Sequence, residues 1–462
     1  MLVRRLLVPL ALGVVLLCAV VVRLQLGPWA GPRDLWPWLQ VCYLELGTNI
    51  ATGRGYWLAL APDALSAQAA SPHLLPLDAL PHDYTNLYRP IQYFLPAYAY
   101  LIAPSLAIVG RADWSAAQTF NALVDGLAGP LVVFAMVSRG GAGHLAGLIA
   151  AGLYAASPSI AGVVAQVMPD SLSALLSGLP VACVAIGRWS KARAWMAAAA
   201  GAAVAFACAF RGEVLALLPL LAVLVGARFA RRWNARLGLA SLVVAGWLIG
   251  TVPLAVFWTH VYGFPAWSRP GLGIRLWEGI GNFANPWGIQ ANDEAAGAFL
   301  SSHGLTYGTP EGDAFLVKDA VAHFVERPQF LARSVVVRGR DVVRFGFDGW
   351  GDWSPLPSVV HQLGLFELLF KVLVLVGAAV SFRTYPFLFA LLGCLWLSRV
   401  VPFSALEVQP RDLIPLQVVY ECWAACGLAT LLVAARALSL RRHELRVGVI
   451  PGRSSDNGHL LG

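Results

Sequence analysis

The residues best placed to do chemistry in this chain are the few ionisable groups at the mouths of long apolar stretches. Asp170 follows Met168-Pro169 at the entrance of one stretch, Arg211 and Glu213 flank a glycine between two others, and Arg411-Asp412 precedes another. Arg89, next to Pro90, ends the first long polar loop. A charge at the edge of hydrocarbon is costly, so it points to a task. A carboxylate there can deprotonate or orient a nucleophile, and arginine offers paired N–H donors to phosphate. Together they suit a transfer in which phosphate departs and cations meet the developing charge. Carboxylates also supply the hard oxygens for a divalent metal ion, an optional third component. Simpler roles fit as well: Asp170 as a helix N-cap before Ser171, and Arg211 and Arg411 as partners of Glu213 and Asp412.

The first loop carries a second set. Tyr43, Gly47 and Ile50 recur at spacings of four and three, the pattern of one helix face, and Gly53-Arg54-Gly55 should stop that helix. Glu45 lies on the same helix and Asp34 just before it, while Tyr88-Arg89-Pro90 closes the loop. Glu45 also fits a solvated helix face, and Asp34 an interfacial position beside Arg33. His82-Asp83 with Asp78 could bind a metal, although isolated loop histidines more often face solvent. Trp267, Trp277, Trp287, Trp350 and Trp353 cluster later in the chain, suiting either an interfacial belt or stacking on sugar or isoprenoid.

The elements that position these residues are membrane spans. The 462 residues are 58% hydrophobic and 13% charged, which excludes an ordinary soluble domain. The Lys and Arg excess, +8 overall, falls largely in short loops between apolar runs, so it reads as topology and not as a nucleic-acid footprint. The seven cysteines form no CxxC pair and mostly sit in apolar runs, where they act as small buried hydrophobes. The N-terminus resembles a signal peptide without a cleavage site and is read as an uncleaved first span.

Apolar runs occupy about 6–23, 92–110, 117–138, 143–161, 170–188, 195–210, 213–227, 237–258, 362–381, 384–401 and 413–436. Basic loops at Arg4-Arg5, Arg188–Arg193, Arg228–Arg236 and Arg436–Arg446 belong in the cytoplasm, which requires that one early run not cross. Run 92–110 is interrupted by Pro96 and Pro104 and rich in tyrosine, so it is expected to be an interfacial or re-entrant helix. About ten spans then remain, with both termini cytoplasmic. Loop 24–116, the Asp170 and Arg211–Glu213 turns, segment 259–361 and Ser404–Asp412 fall outside. The expected organisation is a membrane module over 1–258, an outer segment over 259–361 with a helix near Phe315–Val325, spans over 362–436, and a basic cytoplasmic tail over 437–462.

The first loop, from Tyr43 through Gly53-Arg54-Gly55-Tyr56 to Tyr88-Arg89-Pro90 and a juxtamembrane helix, resembles the first outer loop of GT-C fold glycosyltransferases. These include protein O-mannosyltransferases and lipid A aminoarabinose transferases. The order of later motifs is similar too: Ala151–Asp170, Phe210-Arg-Gly-Glu213, Arg275–Asn282, Asn285-Pro-Trp-Gly288 and Pro410-Arg-Asp-Leu-Ile-Pro415. The resemblance implies an all-α polytopic membrane enzyme that moves a sugar from a polyprenyl-phosphate donor to a lipid, glycan or protein acceptor at the outer face of a prokaryotic plasma membrane. It implies catalytic roles for Asp170, Glu45 and Asp34, and donor or phosphate contacts from Arg89, Arg211, Arg411, Tyr43 and Tyr88. The family pattern also places an acid three or four residues before Tyr43, where this chain has Leu39 and Gln40. That departure leaves open a noncatalytic GT-C scaffold. A transporter or flippase of lipid-linked sugars would favour inverted repeats, and none is visible.

Overall fold

The structure, a computed structural model, describes residues 2–26, 37–56, 75–76, 95–187, 192–263, 271–348, 364–407 and 410–448. Asp34, His73, Asp78, His82, Asp83, Tyr88, Arg89, Trp267, Trp350 and Trp353 lie outside them, as does the tail beyond residue 448. The described chain is helical throughout, apart from one antiparallel pairing of β1 (Leu75–Pro76) with β2 (Arg111–Ala112).

The helices in chain order are α1 (Leu2–Leu26), α2 (Pro37–Ala51), α3 (Pro96–Val109), α4 (Trp114–Val137), α5 (Gly143–Ala156), α6 (Pro158–Val164), α7 (Ser173–Ile186), α8 (Arg193–Cys208) and α9 (Leu217–Phe229). They continue with α10 (Trp233–Tyr262), α11 (Leu272–Gly281), α12 (Asp293–Ser302), α13 (Pro310–Glu326), α14 (Pro328–Asp348), α15 (Gly364–Thr384), α16 (Pro386–Ala405) and α17 (Ile414–Gly448). Among the described residues, seven stretches are long and apolar enough to cross a membrane: Leu6–Gln25, Trp114–Ala156, Pro169–Ile186, Gly212–Phe229, Trp233–Val261, Pro386–Ala405 and Ile414–Arg441. The second is α4 and α5 folded back on each other at a π-turn over Ser138–Ala142, where Gly141 takes φ 120°. α8, with 16 residues, is about 24 Å long and α15, with 21, about 32 Å, so both approach the thickness of hydrocarbon.

Run 92–110 forms α3, whose 14 residues reach only about 21 Å, short of a crossing. Pro96 starts it, and Gly110 ends it in the left-handed conformation at φ 72°. α3 packs against α2 through the face the tyrosine–glycine spacing marks. Tyr43 meets Tyr98 edge-on at 5.3 Å, and a Cβ on Gly47 would come within 2.9 Å of Ile102. α2 stops where the glycines dictate: the amides of Arg54 and Gly55 fold back onto the Asn49 carbonyl, with Gly53 at φ 76° and Gly55 at φ 94°.

Within the bundle, Arg23 near the end of α1 is buried and bonds Asp125 of α4 at 3.0 Å and the Tyr154 carbonyl of α5 at 3.0 Å. One guanidinium thus fastens three helices from inside an apolar core. α8 and α10 run parallel in close contact, because small residues leave room for backbone: Gly201 faces the Val243 carbonyl and Gly246 the Ala198 carbonyl.

A second, smaller core lies in the later segment, where Ile274, Trp277, Ile280, Leu300, Leu316 and Ala320 of α11–α13 pack together. The helix expected near Phe315–Val325 is α13. Trp277 stacks on Phe299 at 5.2 Å and donates to Asp319, and Trp287 packs on His323 at 4.4 Å. These two tryptophans serve this core and not a lipid-facing belt.

Candidate functional site

The charges at the mouths of the spans converge. Arg211, just after α8, reaches Asp170 before α7 and Asp412 before α17, and its Nε bonds Glu213 at 3.2 Å. Arg275 of α11 bonds Glu407, after α16, at 2.7 Å and Asp412 at 3.3 Å. Bonds between residues up to 201 positions apart thereby form one chain of alternating charge, from Asp170 through Arg211, Asp412 and Arg275 to Glu407. Asp170 is 2% exposed and Asp412 1%. Buried ions persist only when paired, and the pairing here is reciprocal. Burial works against charge on Arg211, but Asp170, Glu213 and Asp412 outweigh it and raise its pKa well above the ordinary arginine value. Arg275 is raised likewise, burial again being overcome by Asp412 and Glu407.

Local structure explains the placement. Pro169–Leu172 and Gly212–Ala216 are single 3-10 turns that lead into α7 and α9, so Asp170 and Glu213 sit at span entrances. The N-cap residue of α7 is Leu172, which makes no side-chain cap bond, and Asp170 is engaged with Arg211. Arg275 is set by α11, and α11 is held at both ends. The Asp313 carboxylate of α13 accepts from the amides of Gly271 at 2.8 Å, Gly273 at 2.9 Å and Ile274 at 3.3 Å, capping its N-terminus from another helix. Arg338 of α14 donates to the carbonyl of Gly279 at 2.9 Å and to those of Ala405 and Leu406 at 2.8 Å, tying the C-terminal end of α11 to the strip that carries Glu407. Burial pulls the Arg338 guanidinium down to about 10, which still leaves it charged at neutral pH. Glu278, one turn after Arg275, is pushed up to about 9 by burial and by the neighbouring carboxylates of Glu407 and Asp293, so it holds its proton and shares it with Glu407.

The position where the resemblance expects an acid also belongs to this site. Gln40, 1% exposed, accepts the Val167 amide at 2.9 Å and so seats α2 on the turn leading to Asp170. A neutral amide stands where a carboxylate would face the same turn. Glu45, five residues on, is 4% exposed, a buried position and not a solvated helix face. Tyr43 is equally enclosed by its packing on Tyr98. The side chain of Arg411 is not among those described, although its backbone lies in the Pro410–Leu413 turn with Asp412.

Arg275 and Glu278, within the motif Arg275–Asn282, and Glu407 and Arg399 were given no site role from sequence. Arg275 and Glu278 carry a weak signal, charges three apart in an otherwise apolar helix. Arg399 carries a stronger one, a charge inside an apolar run, and it donates to Ser177 of α7 at 2.6 Å. As for a metal ion, no group of three or more His, Cys, Asp or Glu among the described residues is close enough to hold one. The carboxylates that do meet are bridged by Arg211 and Arg275, so a cation would have to displace a guanidinium, and the donor set does not fit one.

An all-helical set of membrane spans, with short helices α2 and α3 packed beside the entrance of α7 and charged turns gathered at that end, defines a polytopic membrane protein of the GT-C fold. In particular, the chain is similar to the archaeal oligosaccharyltransferase AglB from Archaeoglobus fulgidus in complex with an inhibitory peptide and a dolichol-phosphate, with a TM-score of 0.52 and 16% identity over 97% of this chain and 52% of that one. A structure of the Archaeoglobus fulgidus oligosaccharyltransferase with Zn and sulfate aligns with a TM-score of 0.49 and 17% identity, over 95% and 51% of the two chains. The chain spans about half the length of these structures. No protein-family model matches the sequence, and no curated protein matches it.

Proposed function

We propose that this chain is a membrane glycosyltransferase that moves a sugar from a polyprenyl-phosphate donor to an acceptor at the outer face of the membrane. The observation that carries the reading is the buried chain Asp170–Arg211–Asp412–Arg275–Glu407, assembled from five separate segments at one end of the spans. The dolichol-phosphate in the AglB structure supports a lipid-phosphate donor of the same kind.

In this reading the acceptor attacks the anomeric carbon of the sugar, its proton passes to Asp170, and the bond from that carbon to phosphate oxygen breaks. The lipid phosphate leaves as an anion toward Arg211 and Arg275, whose forks suit its oxygens. Arg211 holds Asp170 in an ion pair until the donor phosphate competes for the guanidinium. Asp34 and Glu45 in a catalytic role, and Arg89, Arg411, Tyr43 and Tyr88 as donor contacts, complete the proposal on resemblance alone, and segment 259–361 is read as an outer-face unit that supplies Arg275.

The test is transfer from a polyprenyl-phosphate sugar by the full chain in proteoliposomes. Asp170→Asn should reduce turnover at least about 100-fold, the range for a lost general base. Arg275→Lys should weaken donor use more than acceptor use. Full transfer by both Asp170→Asn and Glu45→Gln would end the catalytic assignment. A second reading, a GT-C scaffold without catalysis, is favoured by the neutral Gln40 at the acid position. The two separate on Gln40→Glu, which keeps the acceptor for Val167 and adds the missing charge: an active enzyme changes rate, and a scaffold shows no transfer in either form.

A further inference from the structure

At the far end of the same helices lies a second site of a different kind. A cavity of about 610 Å³ is lined by Arg193, Arg228, Arg231 and Arg232 with Phe229 and Ala230, and among the described residues no acidic side chain contributes to its wall. Arg193 begins α8, Arg228 ends α9, and Arg231 and Arg232 precede α10, so three helices bring together residues that the sequence keeps up to 39 positions apart. α8 spans about 24 Å between this cavity and Arg211, which places the cavity well away from the charged chain described above.

Three features give the cavity its chemistry. First, three arginines are concentrated here: among the described residues no carboxylate forms a salt bridge with Arg228, Arg231 or Arg232, and Arg228 is seated over the Phe387 ring at 5.4 Å. Second, α8 and α10 run parallel and both begin here, so two helix N-termini add positive potential to that of the guanidinium groups. Third, Trp195 and Trp233, beside Arg193 and Arg232 in the chain, are 78% and 67% exposed. Exposed tryptophans at the ends of spans belong at headgroup depth. A site at that depth meets lipid phosphates before it meets soluble ones.

We propose that this cavity binds the phosphodiester headgroup of an anionic phospholipid in the adjacent leaflet. The arginine forks hold the phosphate oxygens, and the acyl chains lie along the apolar flank of α10. Positive-inside topology explains basic loops, but it does not require them to close around a cavity. The proposal is independent of the transferase reading, because it concerns the opposite end of the spans.

The experiment is native mass spectrometry of the full chain in detergent, titrated with phosphatidylglycerol, with phosphatidylcholine of the same acyl chains, and with inorganic phosphate. One phosphatidylglycerol per chain should be held at least about tenfold more tightly than phosphatidylcholine. The double variant Arg231→Gln/Arg232→Gln should lose most of that preference, while Arg231→Lys/Arg232→Lys, which keeps the charge that orients the spans, should retain a measurable part. Equal binding of the two lipids by the native chain would overturn the proposal, whether or not the variants fold. So would an undiminished preference in the glutamine variant, or displacement of the lipid by inorganic phosphate.

Discussion

Glu278 should make the stability of the segment α11–α13 depend on pH, and the dependence can be worked from its surroundings. Burial and the carboxylates of Glu407 and Asp293 raise its pKa from 4.5 to about 9, with Arg275 pulling the other way. The folded protein therefore binds this proton more tightly than the unfolded chain does. Stability from this group is fully present below about pH 4.5 and is lost as pH rises toward about 9. One proton changes the folding free energy by about 1.4 kcal/mol per pH unit, so between pH 6 and pH 8 the contribution falls by roughly 3 kcal/mol. Glu278→Gln keeps an N–H donor for Glu407 and removes the titration. The readouts are thermal unfolding in detergent and hydrogen–deuterium exchange of the amides of Leu272–Gly281, each from pH 5 to pH 9. The native protein should lose stability across this range, by up to about 5 °C between pH 6 and pH 8 at roughly 2 °C per kcal/mol. Its α11 amides should exchange faster at the alkaline end. The glutamine variant should show a flatter profile and match or exceed the native protein at pH 8. Parallel pH profiles for the two proteins would refute the reasoning, since they would show that Glu278 ionises without cost.

Three further outcomes are expected. Arg211→Met leaves Asp170 and Asp412 buried without their shared cation and should cost about 3–5 kcal/mol in unfolding measurements, whereas Arg211→Lys should cost clearly less; equal effects would mean that charge is not what Arg211 supplies. Asp313→Ala strips the acceptor from three backbone amides and should destabilise α11 by about 2–4 kcal/mol, seen as faster exchange at Gly271–Ile274 while the spans stay protected. Gly201→Leu drives a side chain into the Val243 carbonyl, which an added Cβ alone would approach to 1.8 Å, and should lower the unfolding temperature by several degrees, whereas Gly238→Ala meets nothing within 4 Å and should be neutral.

The covalent pattern carried much of the architecture. Apolar length set the spans, since a helix in hydrocarbon must satisfy its own backbone, and proline and glycine set the limits of the short helices α2 and α3 at Gly53, Gly55 and Pro96. The spacing of Tyr43, Gly47 and Ile50 marked the face of α2 that meets α3, because residues three and four apart share a helix face. Asp170, Arg211 and Glu213 were visible as candidates because charges at the ends of apolar runs stand out against their surroundings.

Partnership was not visible. That Arg211 joins Asp170 to Asp412, that Arg275 enters from a helix capped by Asp313, and that Arg23 locks onto Asp125 inside the bundle depend on how helices distant in sequence pack. Local pattern contains no term for this. The same is true of Gln40: as a residue it is a missing acid, and only the fold shows it bound to Val167 beside Asp170. The sequence by itself determined a membrane chain of about ten helical segments with charges at their ends. Tertiary packing alone decided which charges meet, because a buried ion survives only where the fold brings an opposite charge within hydrogen-bonding distance.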